Sequence, residues 1–74
     1  MIEGIITNNI RVLRFNNGEM TQQELADAIG VTRQTINAIE AAKYSPSLDL
    51  AFKIAAIFDS PLEEVFQFSI DEQN

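Results

Sequence analysis

The stretch QQELADAIGVTRQTINAIE, residues 22–40, decides how this chain folds. Thr21 and Glu24 bracket its start as a capping box. The Thr hydroxyl accepts from the backbone N–H three residues on, and the Glu carboxylate reaches back to the Thr N–H. Met20 before the cap and Leu25 behind it stand at the spacing of a hydrophobic staple. A helix over about 21–28 is expected. Gly30 is placed to supply a positive φ. Thr32 is a second N-cap, flanked by Val31 and Ile36, and a helix over about 32–40 follows. Ala26 is small where the second helix must cross the first. Leu25, Ile29, Val31, Ile36 and Ile39 fall where a pair of crossing helices needs inward apolar groups.

The flanks continue the pattern. Upstream, Ile10, Leu13 and Arg14 lie on an amphipathic helix over roughly 7–17, ended by Asn17-Gly18. Downstream, Ala42–Pro46 reads as a loop, because Pro46 biases its predecessor away from the helical region. Ser47 caps a helix from Leu48 to Phe58. Leu50, Ile54, Ile57 and Phe58 recur on it at helical spacing, and Ala51 and Ala55 permit close approach. Ser60-Pro61-Leu62-Glu63 opens a last helix, with Ser60 as cap, Pro61 at the first helical position and Glu63 completing the box. Val65–Ile70 either finishes that helix or is extended, since Phe66, Phe68 and Ile70 alternate. The expected fold class is all-α: five helices joined by short loops.

The chain of 74 residues has room for one domain, which we draw at residues 1–68 with an acidic C-terminal tail at 69–74. A domain this short buries only about 60% of the surface its unfolded form exposes, so packing must be helped by little else than self-association. There is no Cys and no His. That removes disulfides, thiolate metal sites, thiol nucleophiles and the usual general base. No metal and no cofactor is expected, and no Gly-rich phosphate loop is present. The carboxylate pairs do not suit catalysis: Glu63 and Glu64 are consecutive on a helix and diverge, and Asp71 and Glu72 lie near the chain end. An enzyme is not expected. The first residues, MIEGIIT, lack the basic region of a signal peptide, and no stretch approaches the roughly 20 apolar residues that span a bilayer. A soluble, cytoplasmic protein with no membrane contact is the expectation.

The net charge is −6, from 5 basic and 11 acidic residues. Its distribution matters more than its sum. Residues 58–74 hold Asp59, Glu63, Glu64, Asp71 and Glu72 and no base, a net −5, whereas the first 57 residues carry all the bases and sum to −1. A face bearing Arg11, Arg14, Arg33, Lys43 and Lys53 can therefore meet anions while the acidic end points away.

Two short helices across a tight Gly turn, with a small residue at the crossing and five apolar positions in register, read as a helix-turn-helix. The block GEMTQQELADAIGVTRQTINAIE ahead of KYSPSLDLAFKIA resembles the lambda-repressor-like regulators of the Cro and xenobiotic-response-element type. The likeness covers about residues 9–66. It implies a five-helix domain, sequence-specific binding of double-stranded DNA, and usually a homodimer.

With Ile36 and Ile39 turned inward, Arg33, Gln34, Asn37 and Ala38 are left on the outer side of the second helix, and Thr32 and Thr35 at its N-terminal edge. A helix of this width enters the B-DNA major groove, where Arg pairs with a guanine edge, Gln with adenine, and a Thr methyl meets a thymine methyl. The resemblance assigns base reading to Arg33 and Gln34, and we place Thr32, Thr35 and Asn37 beside them. Taken alone, Arg33 and Gln34 are also what a solvated helix start looks like. Gln22, at a helix N-terminus, is expected on the DNA backbone. Lys43, Tyr44 and Ser47 are further backbone candidates, though Tyr44 also suits packing beside Pro46, and capping explains Ser47. The resemblance also implies an ion pair between Arg14 and Glu40. One departure from many relatives is Ala41-Ala42 in place of Asn-Gly, which puts an Ala where the chain turns left-handed and removes an Asn from the corner. Phe15 stands where relatives often carry a charge, as core or as an exposed patch.

A rival reading takes the acidic, apolar C-terminal segment as a protein-binding element, as in an antitoxin with its toxin partner, with DNA binding secondary. Phe66, Phe68 and Ile70 either cover the domain's own core or form a dimer seam, and the seam is favoured because a helical domain of this size has little spare core.

Overall fold

A computed structural model describes residues 2–70. Its elements are β1 (Gly4–Asn8), α1 (Ile10–Asn16), α2 (Gln22–Ile29), α3 (Arg33–Glu40), α4 (Leu48–Ile57), α5 (Leu62–Val65) and β2 (Phe66–Ile70). The five helices stand as expected, but the all-α class does not. β1 and β2 pair antiparallel, with Gly4 opposite Ile70, Ile6 opposite Phe68 and Asn8 opposite Phe66. The physical reason lies in Ile5-Ile6-Thr7, whose β-branched side chains favour the extended backbone. The first helix expected from residue 7 therefore starts at Ile10. The open question over Val65–Ile70 resolves as strand from Phe66 onward. Of the acidic tail drawn at 69–74, Ser69 and Ile70 lie in β2, while Asp71 and Glu72 lie outside the described residues.

The core runs through every helix. Ile10, Leu25, Ala26, Ile36, Ile39, Ile54, Ala55 and Val65 are buried, with Ile29, Val31, Leu50, Ile57, Phe58 and Phe66 packed around them. Fully burying one such Ile or Leu is worth about 1.5–3 kcal/mol, so these few side chains carry most of the folding drive.

The local chemistry at the front of the molecule follows the residues closely. Thr21 Oγ1 accepts from Glu24 N at 3.0 Å, and Thr21 N donates to Glu24 Oε1 at 2.9 Å. Donation from the Thr21 backbone, then from its hydroxyl, holds the Glu24 carboxyl below its ordinary range. Gly30 sits at φ 79°. Thr32 caps α3 by accepting from Thr35 N at 3.2 Å, and Ser47 caps α4 by accepting from Leu50 N at 3.2 Å. The expected Ser60 cap is not made. Pro61 occupies the cap position, and Ser60 Oγ donates instead to the Phe58 carbonyl at 3.1 Å. The extended ψ of Pro61, 155°, places it outside the helix, so Ser60 is one residue too far away to reach the free N–H groups.

The chain turns left-handed just after α3, at a residue that is not Gly. Ala42 has φ 59°, while Ala42 N donates to Ile39 O and Lys43 N to Ala38 O. This is the closure that favours Gly, because a Cβ crowds the carbonyl in the left-handed region. Ala42→Gly should raise stability by about 1 kcal/mol and the melting temperature by roughly 4–8 °C, as read by thermal unfolding.

Candidate nucleic-acid interface

The exposed edge of α3 is built by its buried edge. Ile36 and Ile39 point into the core at 0% and 1% exposure, which turns the opposite side outward. Arg33, Gln34 and Asn37 are exposed there, as is Thr32, whereas Thr35 and Ala38 are half-buried. Ala38 therefore contributes less outer surface than its spacing suggests. The Thr32 and Thr35 hydroxyls bond each other at 3.0 Å, so both are held at the helix start. Arg33 and Gln34 are the two long polar side chains at that edge.

Behind this edge lies a polar lattice. Arg14 grips Glu40 with two donors, Nε to Oε2 at 2.6 Å and Nη2 to Oε1 at 3.0 Å, and its third group, Nη1, donates to Met20 O at 2.7 Å. The pair keeps side-chain exposures of 14% and 9%, so it is largely withdrawn from water. Gln22 Nε2 donates to Asn37 Oδ1 and to Glu40 Oε1, both at 3.3 Å. Gln22, read as a backbone contact, is thus also a brace between α2 and α3. Asn37 is correspondingly held by Gln22 from behind.

The loop after α3 brings Lys43 and Tyr44 to the surface, Tyr44 with about half its area exposed. Ser47 spends its oxygen as the α4 cap and keeps its hydroxyl proton for a partner. Phe15 is exposed at 66%, beside Val12 on the outer side of α1, and is not core. Among the three apolar tail residues, Phe66 packs against the core, whereas Phe68 and Ile70 are exposed at 53% and 61%. The register places Ile6, Phe66, Phe68 and Ile70 on one face of the sheet.

One side chain escaped the sequence reading. Asn8, on β1, donates from Nδ2 to Ile39 O at 3.0 Å, and its Oδ1 accepts from Ile10 N at 3.2 Å. It clamps the end of α3 to the start of α1 from the sheet. An Asn-Asn pair before an apolar run hints at a cap, but nothing local shows that it reaches residue 39. Asn8→Ala should cost about 1–2 kcal/mol by leaving the Ile10 N–H unpaired and taking one of its two donors from the Ile39 carbonyl, measured as a lower urea midpoint. Arg11, one of the five bases expected on an anion-facing surface, lies on α1 beside Gln22 and Asn37.

A short helix pair with a left-handed Gly turn, its second helix presenting long polar side chains from a firmly braced base, defines a helix-turn-helix module. The helix-turn-helix family model matches residues 14–65. An uncharacterized HTH-type transcriptional regulator of Methanocaldococcus jannaschii is 55% identical over 53 residues, 72% of this chain and 80% of that protein. The Bacillus subtilis HTH-type regulator YgzD, also uncharacterized, is 43% identical over 90% of this chain and 97% of its own. The transcriptional repressor RstR of the cryptic phage CTXphi in Vibrio cholerae is 33% identical over 93% of this chain, which spans 64% of that repressor. A crystal structure of a candidate DNA-binding protein from Bacteroides fragilis superposes with a TM-score of 0.73 at 25% identity, covering 85% of this chain and all of that one. The chain belongs to the lambda-repressor-like helix-turn-helix family of transcriptional regulators. Among the described residues, no helix is long and apolar enough to cross a membrane.

Proposed function

We propose that this chain is a cytoplasmic transcriptional regulator that binds double-stranded DNA in a sequence-specific way, and that it represses by occupying a two-fold symmetric operator as a homodimer. The observation that carries this is the α3 edge: Arg33 and Gln34 stand exposed at the start of a helix whose other side is sealed into the core. Inserted in the major groove, Arg33, Gln34 and Asn37 meet base edges, with the Thr32 and Thr35 methyl groups beside them. Gln22, Lys43, Tyr44 and Ser47 flank that edge and meet the phosphates.

Repression is suggested by RstR, a relative named for it. The relatives above are regulators, and none favours the antitoxin alternative. For the dimer, the exposed Phe68 and Ile70 on the sheet face that also bears Ile6 are the proposed seam, with Phe66 anchoring the strand from within. A two-fold pair sets its recognition helices about 34 Å apart, one turn of duplex.

Lys43→Ala should weaken binding to all sequences about equally and reduce the salt slope by roughly one. Selection from a random duplex library tests the function as a whole. An enriched inverted repeat with half-sites about one turn apart is the expected outcome. A pool with no enriched motif would reject it.

A further inference from the structure

Between α1, the start of α2 and the end of α3 lies an open recess of about 470 Å³, lined by Asn8, Arg11, Gln22, Asn37, Glu40 and Ala41. Two arginines reach it, and they differ in what they have left to give. Arg14 has committed Nε and Nη2 to Glu40 and Nη1 to Met20 O. Glu40 is equally committed, receiving Arg14 on both oxygens and Gln22 on Oε1. Arg11 is exposed and makes no ion pair among the described residues, where the pairs are Arg14–Glu40 and Lys53–Asp49. The recess therefore presents one uncompensated positive charge beside a neutralised pair.

Its other walls also favour an anion. Asn37 has its Oδ1 occupied by Gln22, which leaves the amide Nδ2 as a free donor. The eight-residue helix α2 begins at Gln22, and its first N–H groups carry the positive end of the helix dipole. The recess adjoins the exposed α3 edge through Asn37, so an anion seated here would belong to the same surface.

We infer that this recess seats one phosphate of the DNA backbone in each half-site, with Arg11 as its principal contact and the first N–H groups of α2 beside it; this rests on the DNA-binding reading given above. The guanidinium of Arg11 meets two phosphate oxygens in the fork geometry that suits that group. The contact fixes the height of α3 in the groove and carries no sequence preference of its own.

The test uses the duplex motif enriched by the full-length protein and compares wild type, Arg11→Gln and Arg11→Lys. Arg11→Gln should weaken binding about tenfold, with the salt slope smaller by about 0.9 and base preference unchanged. Arg11→Lys should keep the slope and recover part of the affinity. Ethylation interference should show one phosphate per half-site whose modification blocks wild type and no longer matters for Arg11→Gln. Thermal unfolding of the three proteins should coincide, because Arg11 is exposed. Wild-type affinity and slope in Arg11→Gln, with the motif still bound, overturn the phosphate seat alone. Failure of the wild-type protein to enrich any motif overturns the DNA-binding reading, and the seat with it.

Discussion

Glu40→Ala is expected to remove about 3 kcal/mol of stability and to lower the melting temperature by roughly 12–24 °C. A domain of this size has about 4–11 kcal/mol in all, so the variant sits near the edge of folding. The magnitude follows from what the substitution leaves behind. Arg14 is withdrawn from water and holds Glu40 through two short bonds. Without the carboxylate its charge stays largely desolvated, with only the Met20 carbonyl as partner. Breaking such a pair from one side costs about 3–5 kcal/mol when burial is complete, and the residual exposure places this pair at the lower end. Gln22 loses an acceptor in the same step. Replacing Arg14 and Glu40 together by Met and Leu should cost much less, because no charge is stranded. A double-mutant cycle in urea separates the two, and additive single effects would show the pair to be uncoupled.

Arg33→Ala is expected to cost about 1–3 kcal/mol on the enriched duplex, a loss of about 5–150-fold, and to relax preference at a single base pair. Arg33 is exposed and lies at the first position of α3, so the domain should melt at its usual temperature. On the proposed function, the variant loses a two-pronged contact to one guanine edge, which no water replaces with the same discrimination. Lys43→Ala is the contrast: it lowers affinity without choosing among bases. Competition binding against single-base variants of the duplex distinguishes them. An Arg33→Ala protein that weakens evenly on every variant would move Arg33 from base reader to phosphate contact.

How much of this was legible in the residues depends on the range of the interactions. α2 and α3 were, because their starts and the turn between them are written within four or five positions: Thr21 with Glu24, Thr32 with Thr35, and Gly30 in the left-handed region. The inward set Leu25, Ile36 and Ile39 followed from periodicity, and each is buried. The Arg14–Glu40 pair spans 26 residues and was reached only through family likeness. Alternation leaves an extended Phe66–Ile70 open, but its pairing with β1 is not legible, because the two strands lie at opposite ends of the described chain, where turn chemistry offers no signal. Residues 7–9 read as the start of the first helix because the spacing of Ile10 and Leu13 extends backward on a helical wheel. Asn8 is not legible for the same reason, since its partner on α3 is brought close only by packing, and the sequence shows Arg11 only as one free base among five. The strain at Ala42, by contrast, was foreseeable from an Ala at a turn that prefers Gly.

The proposed function requires the start of α3 to read bases from the major groove. Guanine N7-methylation interference on the enriched duplex measures this most directly, because that atom lies only in the major groove. Methylation of one guanine in each half-site is expected to block wild type and to have no effect on Arg33→Ala. Binding indifferent to every N7 methyl group, but blocked by methylation of adenine N3 in the minor groove, would contradict it.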